Sequence, residues 1–135
     1  RPVEIPVSGR QPHAVLMDRI RLEIQRVNPG VRVWPRVTGA FRPMTGKGVI
    51  RVGIEGACDL HGYIPAKGRP AIPFELEVKW AGDSLRPSQE VWSDLMWKLG
   101  VPVKTITAKT EDAIPAAAAE AAEWVRALGA THGNQ

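Results

Sequence analysis

Residues 73–80, PFELEVKW, alternate charged and apolar side chains. In an extended segment Glu75, Glu77 and Lys79 share one face, and Phe74, Leu76, Val78 and Trp80 share the other. Asp59 opens the preceding apolar stretch, where an antiparallel neighbour sets it beside Glu77. Two hard carboxylates from adjacent strands suit Mg²⁺ or Mn²⁺, which prefer oxygen ligands. Lys79 points to the same side, placed to orient or deprotonate an attacking water. Such a grouping makes hydroxide near neutral pH and aims it at a phosphodiester. Without a metal, the same residues read as a solvated strand face, a turn cap at Asp59 and a Glu77–Lys79 surface ion pair of little weight.

Gln89 lies three residues before Trp92 and seven before Met96, on the helix face expected to be buried. An unpaired buried amide costs ~1–3 kcal/mol, so it needs partners. It finds them either as the glutamine of an N-terminal capping box or by reaching Lys79 and the water from the helix start.

These residues need a frame. Residues 1–11 carry prolines without periodicity and read as an irregular arm. From Pro12 a helix is expected, with Leu16, Ile20, Ile24 and Val27 at helical spacing, ending at NPG in 28–30. VRVWPRV follows as a strand whose Pro35 suits an edge or a bulge. Residues 38–48 read as a glycine-rich basic loop, and 49–53 and 58–64 as short strands. A turn at PAKGRP leads into the strand at 74–80, expected to be central. A second helix starts at Pro87, buries Trp92, Leu95, Met96 and Leu99, and stops at Gly100. VPVKTITA is a further strand. Thr110, Glu111 and Asp112 open a last helical region, which Pro115 interrupts and which ends at Gly129, leaving 130–135 frayed. The expected architecture is one α/β domain over 1–135, a central mixed sheet flanked by helices in the order α-β-β-β-α-β-α.

No apolar run approaches the ~20 residues of a membrane span. The chain starts at Arg1, so a trimmed start is expected. A single cysteine, Cys58, excludes a disulfide framework and a thiolate zinc site, and points to a reducing cytoplasm. With 18 Lys and Arg against 14 Asp and Glu, the net charge is +4. Arg36, Arg42, Lys47 and Arg51 are the candidate phosphate contacts, giving salt-sensitive, sequence-independent affinity. Of the five tryptophans, Trp34 and Trp80 are expected in the core, and Trp92, Trp97 and Trp124 in the core or an interface. Trp34 between Arg32 and Arg36 is also the one candidate for base stacking. A small-molecule enzyme is disfavoured, with no phosphate-cradling glycine loop after a strand and no Ser-His or Cys-His signal.

GACDLHGYIPAKGRPAIPFELEVKWAGDSLRPSQEVWSDL resembles the VRR-NUC family of the PD-(D/E)XK nuclease superfamily. The matching positions are Asp59 and Gly62, Glu77 with Lys79, and Leu85, Pro87, Gln89 and Trp92. GAFR at 39–42 and TAKTEDAI at 107–114 resemble its flanking segments, so the likeness spans roughly 13–115.

The resemblance implies a PD-(D/E)XK core and a Mg²⁺- or Mn²⁺-dependent DNA endonuclease without a small-molecule cofactor. Asp59 and Glu77 would be metal ligands, joined by the backbone carbonyl of Val78. Lys79 would serve the water, and Gln89 would be the motif's glutamine. Stand-alone relatives of this size, virus- or bacterium-borne, are similar to homodimeric resolvases acting on Holliday junctions; larger ones cut flaps. Two positions depart from the pattern. The family's first-helix Glu falls on or near His13, which would ligate the metal, bind a phosphate or merely cap the helix; Glu23 is on a different face. Arg86 stands where a better N-cap such as Ser is usual, and would weaken the helix start or turn toward DNA. The alternative is a non-catalytic DNA-binding or assembly module that keeps the fold.

Overall fold

The structure, a computed structural model, describes residues 11–36, 39–41, 43–44 and 46–132. The arm expected at 1–11 lies outside them except for Gln11. Helix α1 spans Pro12–Val27, with Pro12 supplying a preset φ at its first turn. Its buried stripe is Val15, Leu16, Ile20 and Ile24. The Asn28 amide donates to the carbonyl of Ala122, fastening the end of α1 to the last helix.

Strands β1 (Arg32–Pro35), β4 (Leu60–Ile64), β5 (Ile72–Trp80) and β6 (Val103–Ala108) form a four-stranded sheet in the order β1-β4-β5-β6. β1, β4 and β5 are mutually antiparallel, and β6 runs parallel to β5. A parallel pair needs a crossover, supplied by α2 (Pro87–Lys98). β5 is interior, as expected, and Pro35 sits on the edge strand. A 3₁₀ turn at Glu111–Ala113 leads into α3 (Ile114–His132). With a separate hairpin between β1 and β4, the full order is α-β-β-β-β-β-α-β-α, two strands more than the expected α-β-β-β-α-β-α: a mixed α/β fold.

Helices α1 and α3 share one core with the sheet face carrying Leu60, Ile64, Phe74, Leu76, Val78 and Ile106. Each large apolar side chain fully buried there contributes roughly 1.5–3 kcal/mol. Gly62 belongs to this face, because a Cβ would stand 2.5 Å from the Phe74 ring and 2.4 Å from the Arg32 carbonyl. Helix α2 lies across the opposite face, over the charged side of β5.

Several expectations are corrected. Gly39–Phe41 is strand β2, paired with β3 (Ile50–Val52) in a two-stranded sheet, not part of a loop over 38–48. Gly46 and Gly48, at φ +94° and +105°, lie in the connection. On α2, Met96 is buried and Trp92 partly so, but Leu95 and Leu99 are 45% and 66% exposed. The strand residues beneath are charged, so α2 turns its Gln89–Trp92–Met96 face inward. Trp34 and Trp97 are exposed, whereas Trp80 and Trp124 pack on the core. Pro115 lies in the first turn of α3, just where the 3₁₀ turn ends and the α-helix restarts, as expected. Gly129 does not stop that helix; it lets α3 approach β4, where a Cβ would sit 3.3 Å from Ile64.

Candidate active site

The charged face of β5 is buried: Glu75, Glu77 and Lys79 are 6%, 3% and 9% exposed. That rules out the solvated-face reading. Leu60 is opposite Leu76, so the next step back along β4 carries Asp59 toward Glu77. An Asp59 Oδ2 accepts the Val78 backbone N–H at 2.8 Å, and the Asp59 carbonyl accepts the Arg36 N–H at 2.8 Å. Asp59 is therefore held between β1 and β5, not capping an isolated turn.

Gln89 does both things the sequence allows. Its Oε1 accepts the Arg86 backbone N–H at 2.8 Å, the glutamine half of a capping box, and also the Lys79 ammonium at 2.9 Å. Its Nε2 donates to Glu77 Oε1 at 3.2 Å. Lys79 Nζ stands 3.6 Å from that same oxygen. One amide thus ties the helix start, the lysine and the glutamate together, while Glu77 Oε2 is buried and accepts no hydrogen bond. Gly56, at φ +86°, brings the preceding loop against α2: a Cβ there would be 2.2 Å from the Ser88 carbonyl.

His13 enters from the first turn of α1. Its Nε2 lies 2.8 Å from the Val78 carbonyl and 3.8 Å from Asp59 Oδ2. The first-helix residue singled out by sequence therefore reaches the same spot, whereas Glu23 pairs with Arg26 on the surface of α1.

The electrostatics follow from this crowding. Burial first, and then the Asp59 carboxylate, push Glu77 up to about 8, with Lys79 opposing. Burial works against ionising Asp59 too, but hydrogen bonds from His13 and Glu77 and the Val78 N–H hold it below the usual range. Asp59 in turn raises His13, more than burial lowers it. The pair retains a proton near neutral pH, mainly on Glu77. Burial, and then the neighbouring glutamates, push the Cys58 thiol far up, so it is no nucleophile.

Glu75 is different. Its Oε1 accepts the Trp92 indole N–H at 2.8 Å and its Oε2 the Arg36 guanidinium at 3.2 Å, with that guanidinium 5.2 Å from the Trp92 ring centre. Sequence reasoning gave Trp92 to the apolar stripe and missed this bond. The signal was present: Gln89 and Trp92, three apart on a helix, face Glu77 and Glu75, two apart on a strand.

The proposed phosphate contacts are dispersed. Arg36 is engaged by Glu75, Lys47 and Arg86 are exposed, Arg51 lies on β3, and Arg42 falls outside the described residues. Among the described residues no three His, Cys, Asp or Glu side chains group as a metal cage. The donors available to a cation are the two carboxyl groups of Asp59 and Glu77 and the Val78 carbonyl. Hard oxygen donors of that number fit a magnesium-like ion, which keeps several waters. Compared with known proteins, the chain matches no family model, no curated protein and no solved structure.

Proposed function

We propose that this chain is a divalent-metal-dependent DNA endonuclease with a PD-(D/E)XK core of VRR-NUC type, acting on branched DNA such as Holliday junctions or flaps. The observation that carries the reading is the convergence of Lys79, Gln89 and His13 on a carboxyl pair, Asp59 and Glu77, that retains a shared proton. A divalent cation would take the place of that proton and let both carboxylates ionise together. Asp59, Glu77 and the Val78 carbonyl would hold Mg²⁺ or Mn²⁺, whose charge would polarise the scissile phosphate and acidify water.

The chain's own residues do the rest. Gln89 fixes the Lys79 amine by accepting from it, so Lys79 meets the water in one orientation. The Asp59–Glu77 pair retains a proton that a bound cation would displace, so loading would grow with pH up to about 8. Burial under α2 lowers the local dielectric and makes these fixed charges count for more. The apolar surface left on α2 by Val91, Leu95, Trp97 and Leu99 suits a homodimer, which paired cuts require. The test is cleavage of a panel of branched and linear DNAs with and without Mn²⁺. Lys79→Ala and Glu77→Ala should each lower cleavage by on the order of 10² or more while DNA binding is kept; variants that cut normally refute the assignment.

The placement of His13 favours a second reading, a metal-free DNA-binding module. Its ring N–H takes the carbonyl, and approaches the carboxylate, that a cation would use. Titration with Mn²⁺ separates the two. A nuclease binds the ion, and His13→Ala alters that affinity; a binder shows no saturable uptake in either form.

A further inference from the structure

The face of the sheet that carries Glu75 and Glu77 continues across β4 to β1, beyond the cover of α2. There Trp34 and Tyr63 are 40% and 45% exposed. Their ring centres are 5.9 Å apart, and His61 stands edge-on to Trp34 at 5.0 Å. Large aromatics in a row on a sheet are ordinarily covered, and these are not.

Two observations say what would cover them. The first is charge. Residues 31–36 and 60–71 contain Arg32, Lys67 and Arg69, besides the Arg36 that Glu75 engages, and no acid, so the surroundings suit an anion. The second is continuity. Trp34 is opposite His61, which is opposite Glu75, with Glu77 two residues further along β5. Two strand spacings and two residue steps put Trp34 about 12 Å from Glu77, some three stacked nucleotides at ~3.4 Å each. Aromatic faces beside cations bind unpaired bases without reading sequence.

We propose that Trp34 and Tyr63 form a stacking platform for unpaired bases of the DNA strand whose backbone reaches Asp59, Glu77 and Lys79. This rests on the nuclease reading and narrows its substrate to DNA with a single-stranded segment beside the cut. A fully paired duplex would bind through its phosphates alone.

The experiment is fluorescence anisotropy of labelled oligothymidylate and of a matched duplex, in EDTA so that nothing is cut. Trp34→Ala should weaken single-strand binding roughly tenfold and Tyr63→Ser less, with duplex binding unchanged and Trp34→Phe restoring most of the loss. Thermal melts confirm that each variant folds, and Tyr63→Ser carries the test if Trp34→Ala does not. Single-strand binding indifferent to both positions overturns the platform. So does a change in sedimentation with DNA binding intact, which would give the surface to a second copy of the chain. The two readings fail separately. A protein that cuts nothing in Mn²⁺ yet holds oligothymidylate through Trp34 keeps the platform without the nuclease. One that cuts branched DNA but ignores Trp34 keeps the nuclease without the platform.

Discussion

Replacing Glu77 by Gln should stabilise the protein while abolishing its response to metal. Raising a carboxyl from 4.5 to about 8 corresponds, at 1.36 kcal/mol for each tenfold in proton affinity, to roughly 5 kcal/mol of folding free energy. The sign follows from which state binds more protons. Below pH 4.5 the carboxyl is protonated in both states and the term is absent. Between 4.5 and about 8 the folded state keeps the proton that the unfolded state has lost, so stability falls as pH rises. Gln carries no such proton, and its amide can still accept from Gln89 as Oε1 does. The difference between variant and wild type should therefore be near zero at pH 4.5 and largest near pH 8, with a gain of at least about 1 kcal/mol, or about 4 °C in Tm. Metal works in the opposite direction. An ion at a hundred times its Kd adds about 2.7 kcal/mol to wild type, near 10 °C, and nothing to Glu77→Gln. Glu75→Gln is the control: it weakens the bonds to Trp92 and Arg36, so it should lose about 1–3 kcal/mol and keep the metal response. Melts in EDTA and in Mn²⁺ across this pH range decide the matter. A Glu77→Gln protein less stable than wild type at pH 8, or a difference flat in pH, refutes the argument.

Gln89→Ala removes the acceptor of the Arg86 N–H and the Lys79 amine together; urea denaturation should show about 1–3 kcal/mol lost, and cleavage should fall more than DNA binding. Gly56→Ala meets both a positive φ and the Ser88 carbonyl, so it should lift α2 from the site. Activity and metal response should drop together, whereas Gly68→Ala, also at positive φ but in open space, should leave both nearly unchanged.

Much of this site was legible because strand and helix periods are short and rigid. Alternation fixed which residues of β5 face together, and an antiparallel neighbour brings Asp59 to Glu77 with no long-range information. Gln89 was legible from a capping pattern overlapping a buried stripe. The position of Pro12 and the spacing of Leu16, Ile20 and Ile24 gave α1 to the residue, and with it the place of His13. What escaped was whatever depended on how α2 is turned about its axis. Hydrophobicity favoured Leu95 and Leu99 as the buried side, but bonds from Gln89 and Trp92 to two glutamates set the rotation. The exposure of Trp34 escaped for a related reason: α2 covers β5 and leaves β1 bare, and no local pattern says how far a helix extends across a sheet. β2 was missed because three residues among glycines carry too little alternation to register.

Glu75 and Glu77 stand two residues apart on the same strand, the same face and under the same helix, and they differ in one respect. Both Glu75 oxygens have donors, from Trp92 and Arg36, so that carboxylate fastens α2 and the β1 edge to the centre of the sheet. Glu77 takes the Gln89 amide and the Lys79 ammonium on one oxygen, and its other side is enclosed against Asp59, which it meets through a retained proton. Burying charge is costly, and apolar residues of similar volume would often serve stability as well or better. Glu75 recovers that cost through its bonds. Glu77 relieves it instead by keeping a proton, which makes it the one of the two whose state can change near neutral pH. Under the proposed reading a divalent cation would displace that proton and neutralise Asp59 and Glu77 together. The strand's period of two thus makes one glutamate the scaffold of the other. Glu75 holds the helix whose Gln89 orients Lys79, and Glu77 stands where Gln89, Lys79 and Asp59 meet.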